Sequence, residues 1–418
     1  MERTYHSTSR RTSPQSTGTT LQLQVSLDPI HWYPWAHAGP TNMKLAIIGC
    51  GFVADYYLAT LPLHPELSVL GVMDSVDKRA ELLSRLYGVP KYQRLSDVLE
   101  DDQIELVLNL TSVRSHYGVS KAALLAGKHV YTEKPLAMQM DQCRELVELA
   151  EDRGLAIASA PCSLLGETAQ TLWKALRDRV LGSVRVVYAE MDDGLVPRMP
   201  YHDWKSISGT PWPYKDEFEV GCTLEHAAYQ LSWLAAWFGP AVTVTSFASV
   251  QMPDKLSGQT LDVDSPDFSV ACIQFSSGVV ARLTCSLLAP RDHSLKIVGD
   301  QGILYTPDCW DFRSPVHMRR SVSIRRRTFL SPLRKRYRLL SASQKVPKRR
   351  GAQRMDFARG PAELVAAVRE NRPCRLSPGF SLHVNEMALA IHWARELGST
   401  YRMTTTFDPV EPMPWSKS

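Results

Sequence analysis

The stretch MKLAIIGCGFVADYYL, residues 43–58, decides the fold class of the first part of the chain. Lys44 to Ile48 is a short apolar run that predicts a buried strand, and a helical pattern follows as far as about Leu61. Between the two lie Gly49 and Gly51, which allow the chain to turn sharply from strand to helix. This order of strand, glycine turn and helix is typical of a nucleotide-binding βαβ unit.

The turn has the pattern Gly-x-Gly-x-x-Ala, which is the dinucleotide-binding fingerprint with alanine at its third position. The first glycine makes the turn, the second lets the backbone approach a pyrophosphate, and Ala54 permits close packing of helix on strand. We therefore predict that Gly49, Gly51, Phe52 and Val53 bind a dinucleotide, with its pyrophosphate at the helix N-terminus.

An acidic residue stands where the adenosine ribose of that dinucleotide would lie. Asp74 ends the second predicted strand, 25 residues after Gly49, where a carboxylate can accept hydrogen bonds from the ribose hydroxyls. Because a carboxylate there repels the 2′-phosphate of NADP, we expect NAD, with NADP as the alternative. Arg79, one turn further on, either serves such a phosphate or is a solvent-facing helix charge.

Residues 43–161 alternate short apolar runs with helical segments, which predicts parallel βαβ units and hence an α/β Rossmann domain. The predicted strands are Lys44–Ile48, Leu67–Met73, Leu106–Leu110, Lys128–Tyr131 and Leu155–Ser159. The helices that follow the first one are predicted at Asp77–Tyr87, His116–Leu125 and Met138–Arg153.

Strands cluster together beyond residue 161, so we predict that residues 162–418 form an α+β domain with a mostly antiparallel sheet. The predicted strands are Val184–Met191, Val242–Val250, Phe268–Phe275, Val279–Leu287 and Ser294–Val298. The predicted helices are Gly166–Val180, Gly221–Phe238, Pro361–Arg369 and Leu382–Leu397.

The composition is that of a soluble globular protein, with 44% hydrophobic and 22% charged residues among 418. No apolar run approaches the roughly 20 residues that span a bilayer. The eight cysteines are scattered, with no C-x-x-C pair and no histidine at zinc-site spacing. We therefore expect no metal site, and reduced, mostly buried thiols in a cytoplasmic protein.

Two segments differ in composition from the rest. Residues 1–42 are rich in Ser and Thr and lack apolar periodicity, so we predict a disordered extension before Met43. Residues 314–350 contain thirteen Lys and Arg and no Asp or Glu, so the net charge of +5 conceals an otherwise mildly acidic chain. We interpret this basic tract as a long solvated loop inserted in the sheet. The alternative is a patch for nucleic acid, an anionic membrane or a phosphorylated substrate.

The segment GKHVYTEKPLA, residues 127–137, resembles the G-K-H-V-x-x-E-K-P-x-A signature of the glucose–fructose oxidoreductase, inositol dehydrogenase and rhizopine-catabolism family. The resemblance extends from Met43 to about Ile391. Further matches are Leu181-Gly182-Ser183-Val184, Gly221-x-x-x-Glu225 and Gly299-Asp300-Gln301-Gly302.

The resemblance implies a role for the residues of the E-K-P element. Lys134 would lie at the nicotinamide and hydrogen-bond the hydroxyl that loses its hydride, where a cation stabilises a developing alkoxide. Glu133 would contact the cofactor, and the Lys134–Pro135 peptide bond would be cis. The resemblance also implies homo-oligomers formed through the C-terminal sheet.

A second catalytic element is implied on the helix that ends at Gly239-Pro240. The family's Asp falls on Glu225 and its His on Tyr229, at i, i+4 on one helix face. The chain departs from the family pattern here, since the only histidine nearby is His226. The proton acceptor is then Tyr229, with a depressed pKa, or His226; Tyr229 as a core aromatic residue is the alternative.

Other candidates rest on the resemblance alone. Thr111 and His116 match an element that brackets the nicotinamide ribose, although His116, at a predicted helix start, is also interpreted as structural. Substrate-pocket candidates, weighed against ordinary core or surface positions, are Trp204, Tyr214, Lys215 and Arg291.

Two functions of different classes follow from the sequence. The first is an NAD-dependent dehydrogenase, in which hydride passes between nicotinamide and a secondary alcohol of a sugar, cyclitol or sugar derivative. The second is a dinucleotide-binding regulator on the same fold that has no turnover, as the replaced histidine and the basic tract suggest. Lys134 favours the enzyme, because a pure binding protein has no chemical need for that lysine.

Overall fold

The computed structural model describes residues 42–256, 261–262, 265–339, 354–398 and 400–417. The predicted disorder of the N-terminal extension up to residue 41, and the end of the basic tract at 340–350, lie outside the described residues.

The N-terminal part of the chain forms a five-stranded parallel sheet in the order β2-β1-β3-β4-β5. Its strands are β1 (Met43–Ile48), β2 (Leu67–Met73), β3 (Leu106–Asn109), β4 (His129–Thr132) and β5 (Ile157–Ser159). Its helices are α1 (Ala54–Thr60), α2 (Asp77–Tyr87), α3 (Leu95–Glu100), α4 (His116–Leu125) and α5 (Met140–Asp152). The predicted Rossmann sheet is confirmed, whereas α3 was not predicted.

The central strand β1 shows why this sheet forms. Leu45, Ala46 and Ile47 are all fully buried, so both faces of the strand are covered, as they are when crossover helices pack on both sides of a parallel sheet. A continuous apolar run, rather than an alternating one, is the sequence pattern that such a strand requires. The carboxyl ends of these strands meet at one edge, where the loops gather.

The larger sheet has ten strands in the order β13-β12-β11-β10-β6-β9-β8-β7-β15, with β14 also paired to β12. Its strands are β6 (Val184–Asp192), β7 (Ala241–Ser249), β8 (Phe268–Phe275), β9 (Val280–Ser286), β10 (Leu295–Gly299), β11 (Gly302–Thr306), β12 (Val316–Ile324), β13 (Arg327–Leu330), β14 (Lys335–Tyr337) and β15 (Thr400–Arg402). Among these described strands only the β6–β9 pair is parallel. The predicted mostly antiparallel sheet is confirmed.

Helices of the second part of the chain join the two sheets. They are α6 (Glu167–Arg177), α7 (Tyr214–Val220), α8 (Cys222–Phe238), α9 (Arg359–Arg369), α10 (Pro378–His392) and α11 (Ala394–Leu397). The side chains of α10 bond to the backbone beyond the parallel strands: Leu136 N–H donates to Asn385 Oδ1 at 2.8 Å, and Ser159 N–H to Ser381 Oγ at 3.2 Å. This helix therefore holds the edge of the parallel sheet against the larger sheet.

The interpretation of the basic tract as a loop is wrong for its described part. Residues 316–337 contain three strands, β12 to β14, which extend the larger sheet at its edge. In β12 the buried residues Val316 and Met318 alternate with the half-exposed residues His317 and Arg319. This period of two is typical of a strand with one covered face. The many basic residues of the tract made that alternation hard to recognise in the sequence.

Among the described helices, none is long and apolar enough to cross a membrane. All eight cysteines are free, and six of them are buried.

Candidate active site

A cavity of about 900 Å³ lies between the carboxyl edge of the parallel sheet and the larger sheet. The structure brings fourteen of the predicted site residues to its wall: Gly51, Phe52, Val53, Arg79, Thr111, His116, Glu133, Lys134, Trp204, Tyr214, Glu225, His226, Tyr229 and Arg291. Gly49, the first residue of the glycine turn, and Asp74, which accepts a hydrogen bond from the Cys50 N–H of that turn, do not line the cavity themselves.

The two glycines of the turn have different surroundings. Gly49 has a φ of +98°, and a Cβ atom there would come within 2.5 Å of the backbone of Leu110, so only glycine fits. Gly51 has nothing within 4 Å of a Cβ position. The space beside Gly51 is part of the cavity, as expected where a ligand approaches the backbone closely.

Asp74 fixes the turn from the end of β2. Its Oδ2 accepts a hydrogen bond from the Cys50 N–H at 2.7 Å and its Oδ1 accepts one from the Val76 N–H at 2.7 Å. Each carboxylate oxygen keeps a second lone pair for a further donor. The residue therefore both shapes the turn and retains acceptors that suit the hydroxyls of a ribose.

His116 is enclosed by backbone carbonyls. Its Nδ1 lies 2.7 Å from the Pro135 oxygen and its Nε2 lies 3.0 Å from the Thr111 oxygen, and burial lowers its pKa. The ring connects the loop after β3 to the loop after β4. These contacts support a structural role for His116. Glu133 is also buried, and its Oε1 accepts a hydrogen bond from the Tyr57 hydroxyl at 2.7 Å.

Lys134 and Glu225 form an ion pair in the cavity wall. Burial by itself would lower the pKa of Lys134, but the carboxylates of Glu225, Glu217 and Glu133 outweigh burial and raise it above its ordinary value. The ammonium group is thus charged throughout the physiological range. The Lys134–Pro135 peptide bond is cis, as expected.

Glu217, the fourth residue of α7, is a site residue that the sequence did not reveal. It lines the cavity, and its pKa is raised well above the ordinary value by burial and by the charges of Glu225 and Asp193, which the charge of Lys134 offsets in part. A raised pKa favours the protonated carboxyl group, which can donate a hydrogen bond to a ligand.

His226 also faces the cavity, and a second buried carboxylate holds it. Its Nδ1 lies 2.8 Å from Asp193 Oδ2, while Asp193 Oδ1 lies 2.7 Å from His293 Nε2. Burial would raise the pKa of Asp193, but the two histidines lower it strongly, and Asp193 in turn raises the pKa of His293 against the effect of burial. Asp193 is therefore a charged carboxylate that lies between the two imidazole rings.

Tyr229 lies three residues after His226, on the same face of α8. Both rings pack against Trp310, at centroid distances of 5.5 Å for His226 and 5.3 Å for Tyr229. Burial and nearby negative charges raise the pKa of Tyr229 well above its ordinary value. The expected depressed pKa is therefore wrong, because the hydroxyl is desolvated and surrounded by carboxylates rather than cations.

An aromatic wall closes the cavity on the side of residues 201–218. Trp204 packs against Trp212 at a centroid distance of 5.0 Å, and Tyr214 packs against Tyr201 at 5.1 Å. Of the charged residues predicted nearby, Arg291 lines the cavity while pairing with an aspartate at 3.0 Å. Lys215 instead points to Asp262, at 2.9 Å, and is not part of the wall.

The residues that hold a dinucleotide are consequently present. The open space beside Gly51 and the spare acceptors of Asp74 match a pyrophosphate and a ribose, and the cavity continues from there to Lys134. Arg79 lines the cavity near this end and supplies a cation for a 2′-phosphate. The structure therefore fits NAD(H) and also leaves room for NADP(H).

Two family models match the chain. The first, described as an oxidoreductase family with an NAD-binding Rossmann fold, covers residues 43–160, and the second, a GFO/IDH/MocA C-terminal domain, covers residues 169–305. Trans-1,2-dihydrobenzene-1,2-diol dehydrogenase of Oryctolagus cuniculus is 26% identical over 271 residues, which are 63% of this chain and 75% of the relative.

Solved structures share the fold. An oxidoreductase from Agrobacterium radiobacter, in complex with NAD+, L-tartaric acid and magnesium, superposes with a TM-score of 0.67 at 16% identity over 87% of this chain and 98% of the other. A 3-ketoreductase from Actinomadura kijaniata, in complex with TDP-benzene and NADP, gives 0.64 at 20% identity over 84% and 96%. The chain belongs to the glucose–fructose oxidoreductase, inositol dehydrogenase and rhizopine-catabolism (Gfo/Idh/MocA) family of NAD(P)-dependent oxidoreductases.

Proposed function

We propose that this oxidoreductase transfers a hydride between NAD(H) and a ring carbon that carries a secondary hydroxyl, in a sugar, a cyclitol or a related ring diol. The observation that carries the proposal is the single cavity that joins the glycine turn to the pair Lys134–Glu225. When bound, the nicotinamide supplies the hydride acceptor in oxidation and the hydride donor in reduction.

The cation of Lys134 has the electrostatic role. It donates a hydrogen bond to the substrate oxygen and stabilises the negative charge that develops there as the hydroxyl proton leaves in oxidation, or as hydride adds to the carbonyl carbon in reduction. Glu225 keeps the ammonium group in place, so that little reorganisation is needed during the reaction.

We assign the role of proton acceptor to His226. Lys134 is already protonated, and the raised pKa of Tyr229 makes its phenolate too costly at neutral pH. The imidazole of His226 can take the hydroxyl proton while Asp193 stabilises the resulting imidazolium ion, as a carboxylate does behind a catalytic histidine. Tyr229 then acts as a neutral hydrogen-bond donor beside it.

The side chains that line the cavity suit a neutral, polyhydroxylated substrate. Tryptophan and tyrosine rings give flat apolar surfaces for a ring, and carboxyl groups accept hydrogen bonds from hydroxyls. The carboxyl groups at this end of the cavity are Asp193, Asp203, Asp216, Glu217 and Glu225. The substrate named in the Oryctolagus relative, a ring 1,2-diol, has this character.

The remaining assignments belong to the same proposal. Residues 43–161 hold the cofactor through Gly49, Gly51, Phe52, Val53, Asp74, Arg79, Thr111, His116 and Glu133. Residues 162–418 bind the substrate with Lys134, through Trp204, Tyr214 and Arg291. The free thiols support a reducing, cytoplasmic setting.

The test is turnover with a panel of sugars, cyclitols and ring diols, followed at the nicotinamide absorbance band with NAD+ and NADP+. We expect Lys134→Ala to lower kcat about a thousandfold and His226→Gln about a hundredfold or more, and Tyr229→Phe to lower it less than about tenfold. Lys215→Ala, which removes a lysine outside the cavity, is the control and keeps full activity. A larger loss in Tyr229→Phe than in His226→Gln would make Tyr229 the proton acceptor. Tight dinucleotide binding without turnover on the whole panel would favour the regulator.

A further inference from the structure

A ribbon of two strands projects from the edge of the larger sheet. We call residues 319–330, the end of β12 together with β13, the basic hairpin. Among the described residues, strand β12 beyond Arg320 pairs only with β13, and no third strand lies beside this part of the ribbon. Residues 322–330 are all exposed, although an isolated two-stranded ribbon gains little stability of its own.

Three apolar side chains share one face of the basic hairpin. Val322 pairs with Phe329 across the strands, and Ile324 follows on the same face because side chains alternate along a strand. Phe329 is 49% exposed and Ile324 is 61% exposed, and Leu333, just after the hairpin, is 81% exposed. Single exposed apolar residues are ordinary, but a group of them on a projecting element marks a contact surface.

The same ribbon is strongly basic. Arg325, Arg326 and Arg327 occupy its tip, and Arg327 pairs with Ile324, so charge and apolar surface share one face. Residues 314–350 contain no Asp or Glu, and the ion pairs found among the described residues include none with these three arginines. The charge is therefore available to an anionic partner.

These observations go beyond the proposed function, since none of the hairpin residues lines the cavity. We propose that the basic hairpin binds the surface of anionic phospholipid membranes. The aliphatic and aromatic side chains enter the headgroup region, and the arginines pair with lipid phosphates. Aliphatic side chains favour lipid over single-stranded nucleic acid, because unpaired bases stack on aromatic rings and Phe329 is the only aromatic residue of the hairpin.

The test is co-sedimentation of the full-length protein with vesicles of phosphatidylcholine alone and of phosphatidylcholine mixed with phosphatidylglycerol. We expect binding to the mixed vesicles at least tenfold tighter than to the neutral ones, and release at high salt, because the attraction is screened. Ile324→Ser/Phe329→Ser and Arg325→Ser/Arg326→Ser/Arg327→Ser should each weaken binding at least tenfold while the melting temperature is unchanged. The control, Arg85→Ser/Arg94→Ser, removes two exposed arginines of the parallel-sheet side and should bind as the wild type does.

Three results would overturn the proposal. Equal binding to both vesicle types, or binding unchanged in the hairpin variants, would show that the basic hairpin does not bind anionic membranes. Tighter binding to duplex DNA than to the mixed vesicles assigns the surface to nucleic acid. Loss of self-association in Ile324→Ser/Phe329→Ser, measured by sedimentation velocity without lipid, assigns it to a second copy of the chain.

Discussion

Gly49 and Gly51 lie two residues apart, yet the space around them predicts opposite consequences for the same substitution. In Gly51→Ala the new methyl group meets no protein atom within 4 Å, so we expect the free energy of unfolding to change by less than about 0.5 kcal/mol. The methyl group would occupy the space into which we place the pyrophosphate. Dinucleotide affinity, measured by titration of intrinsic fluorescence with NADH, should therefore fall at least tenfold.

Gly49→Ala is the matched comparison. Its methyl group meets the Leu110 backbone, and the residue has a positive φ, so we expect a loss of at least about 2 kcal/mol of unfolding free energy. A Gly51→Ala protein that binds NADH as tightly as the wild type would show that the cofactor does not approach this turn.

The residues of the site differ in how far the sequence could reveal them. Lys134 and Glu225 lie within recognisable motifs, and the structure brings them together as an ion pair. Asp193 directly follows β6 and His293 lies just before β10, 100 residues further along the chain, so no local sequence pattern predicts their contact. The position of Tyr229 in the site was predicted, but the direction in which its pKa shifts depends on burial and on neighbours from distant segments.

At the scale of elements, the periods of hydrophobic residues predicted the strands and helices of the parallel sheet well. The strands β12 to β14 at the edge of the larger sheet were not predicted. Their many arginines obscured the alternation of apolar and polar side chains. An edge strand needs only one covered side, and long arginine side chains are compatible with a strand that faces water.

A buried ion-pair cluster joins the turn after α1 to the segment before α9. His64 Nε2 contacts both carboxylate oxygens of Asp356 at 2.9 and 3.0 Å, and its Nδ1 lies 3.3 Å from Glu66 Oε1. Arg359 also contacts Asp356, at 3.3 Å. Burial would lower the pKa of His64, but the bonds to Asp356 and Glu66 outweigh it and raise the pKa from 6.5 to about 9.

This raised pKa predicts how stability depends on pH. A histidine whose pKa is higher in the folded state stabilises that state fully below about pH 6.5, and the contribution disappears as the pH rises through about 9. The difference in unfolding free energy between wild type and His64→Gln, measured with urea, should thus shrink by about 3 kcal/mol between pH 6 and pH 10.

His392→Gln serves as the control for that series. Burial lowers the pKa of His392 to about 4, so this ring is neutral in both states above about pH 7.5 and its difference from wild type should be constant from there to pH 10. A His64→Gln difference that is equally constant would mean that His64 is neutral in the folded protein.

At the scale of the whole molecule, the larger sheet has one face packed on α8 and α10 and one open face. Tyr188, Phe247 and Val280 are exposed on the open face, and strand pairing places Val280 beside Val186 and Phe247 beside Val270. Exposed aromatic and aliphatic side chains on a sheet face are typical of an interface between protein chains, and the Arg282–Glu190 ion pair lies among them, beside Tyr188. We therefore propose that two copies associate through this face.

An isologous interface uses the same surface patch of both subunits, so each substitution places one charge on either side of the interface. We expect the wild type to sediment as a dimer or a higher even oligomer at micromolar concentration, and Phe247→Glu/Val280→Glu to sediment as a monomer because four carboxylates would be buried without partners. Leu82→Glu, which places the same charge on an exposed leucine of α2, should leave the assembly intact. If the double variant keeps the wild-type sedimentation coefficient, the open face does not form the interface. If the wild type is itself a monomer, the apolar face is covered in some other way, and the cavity acts within one chain.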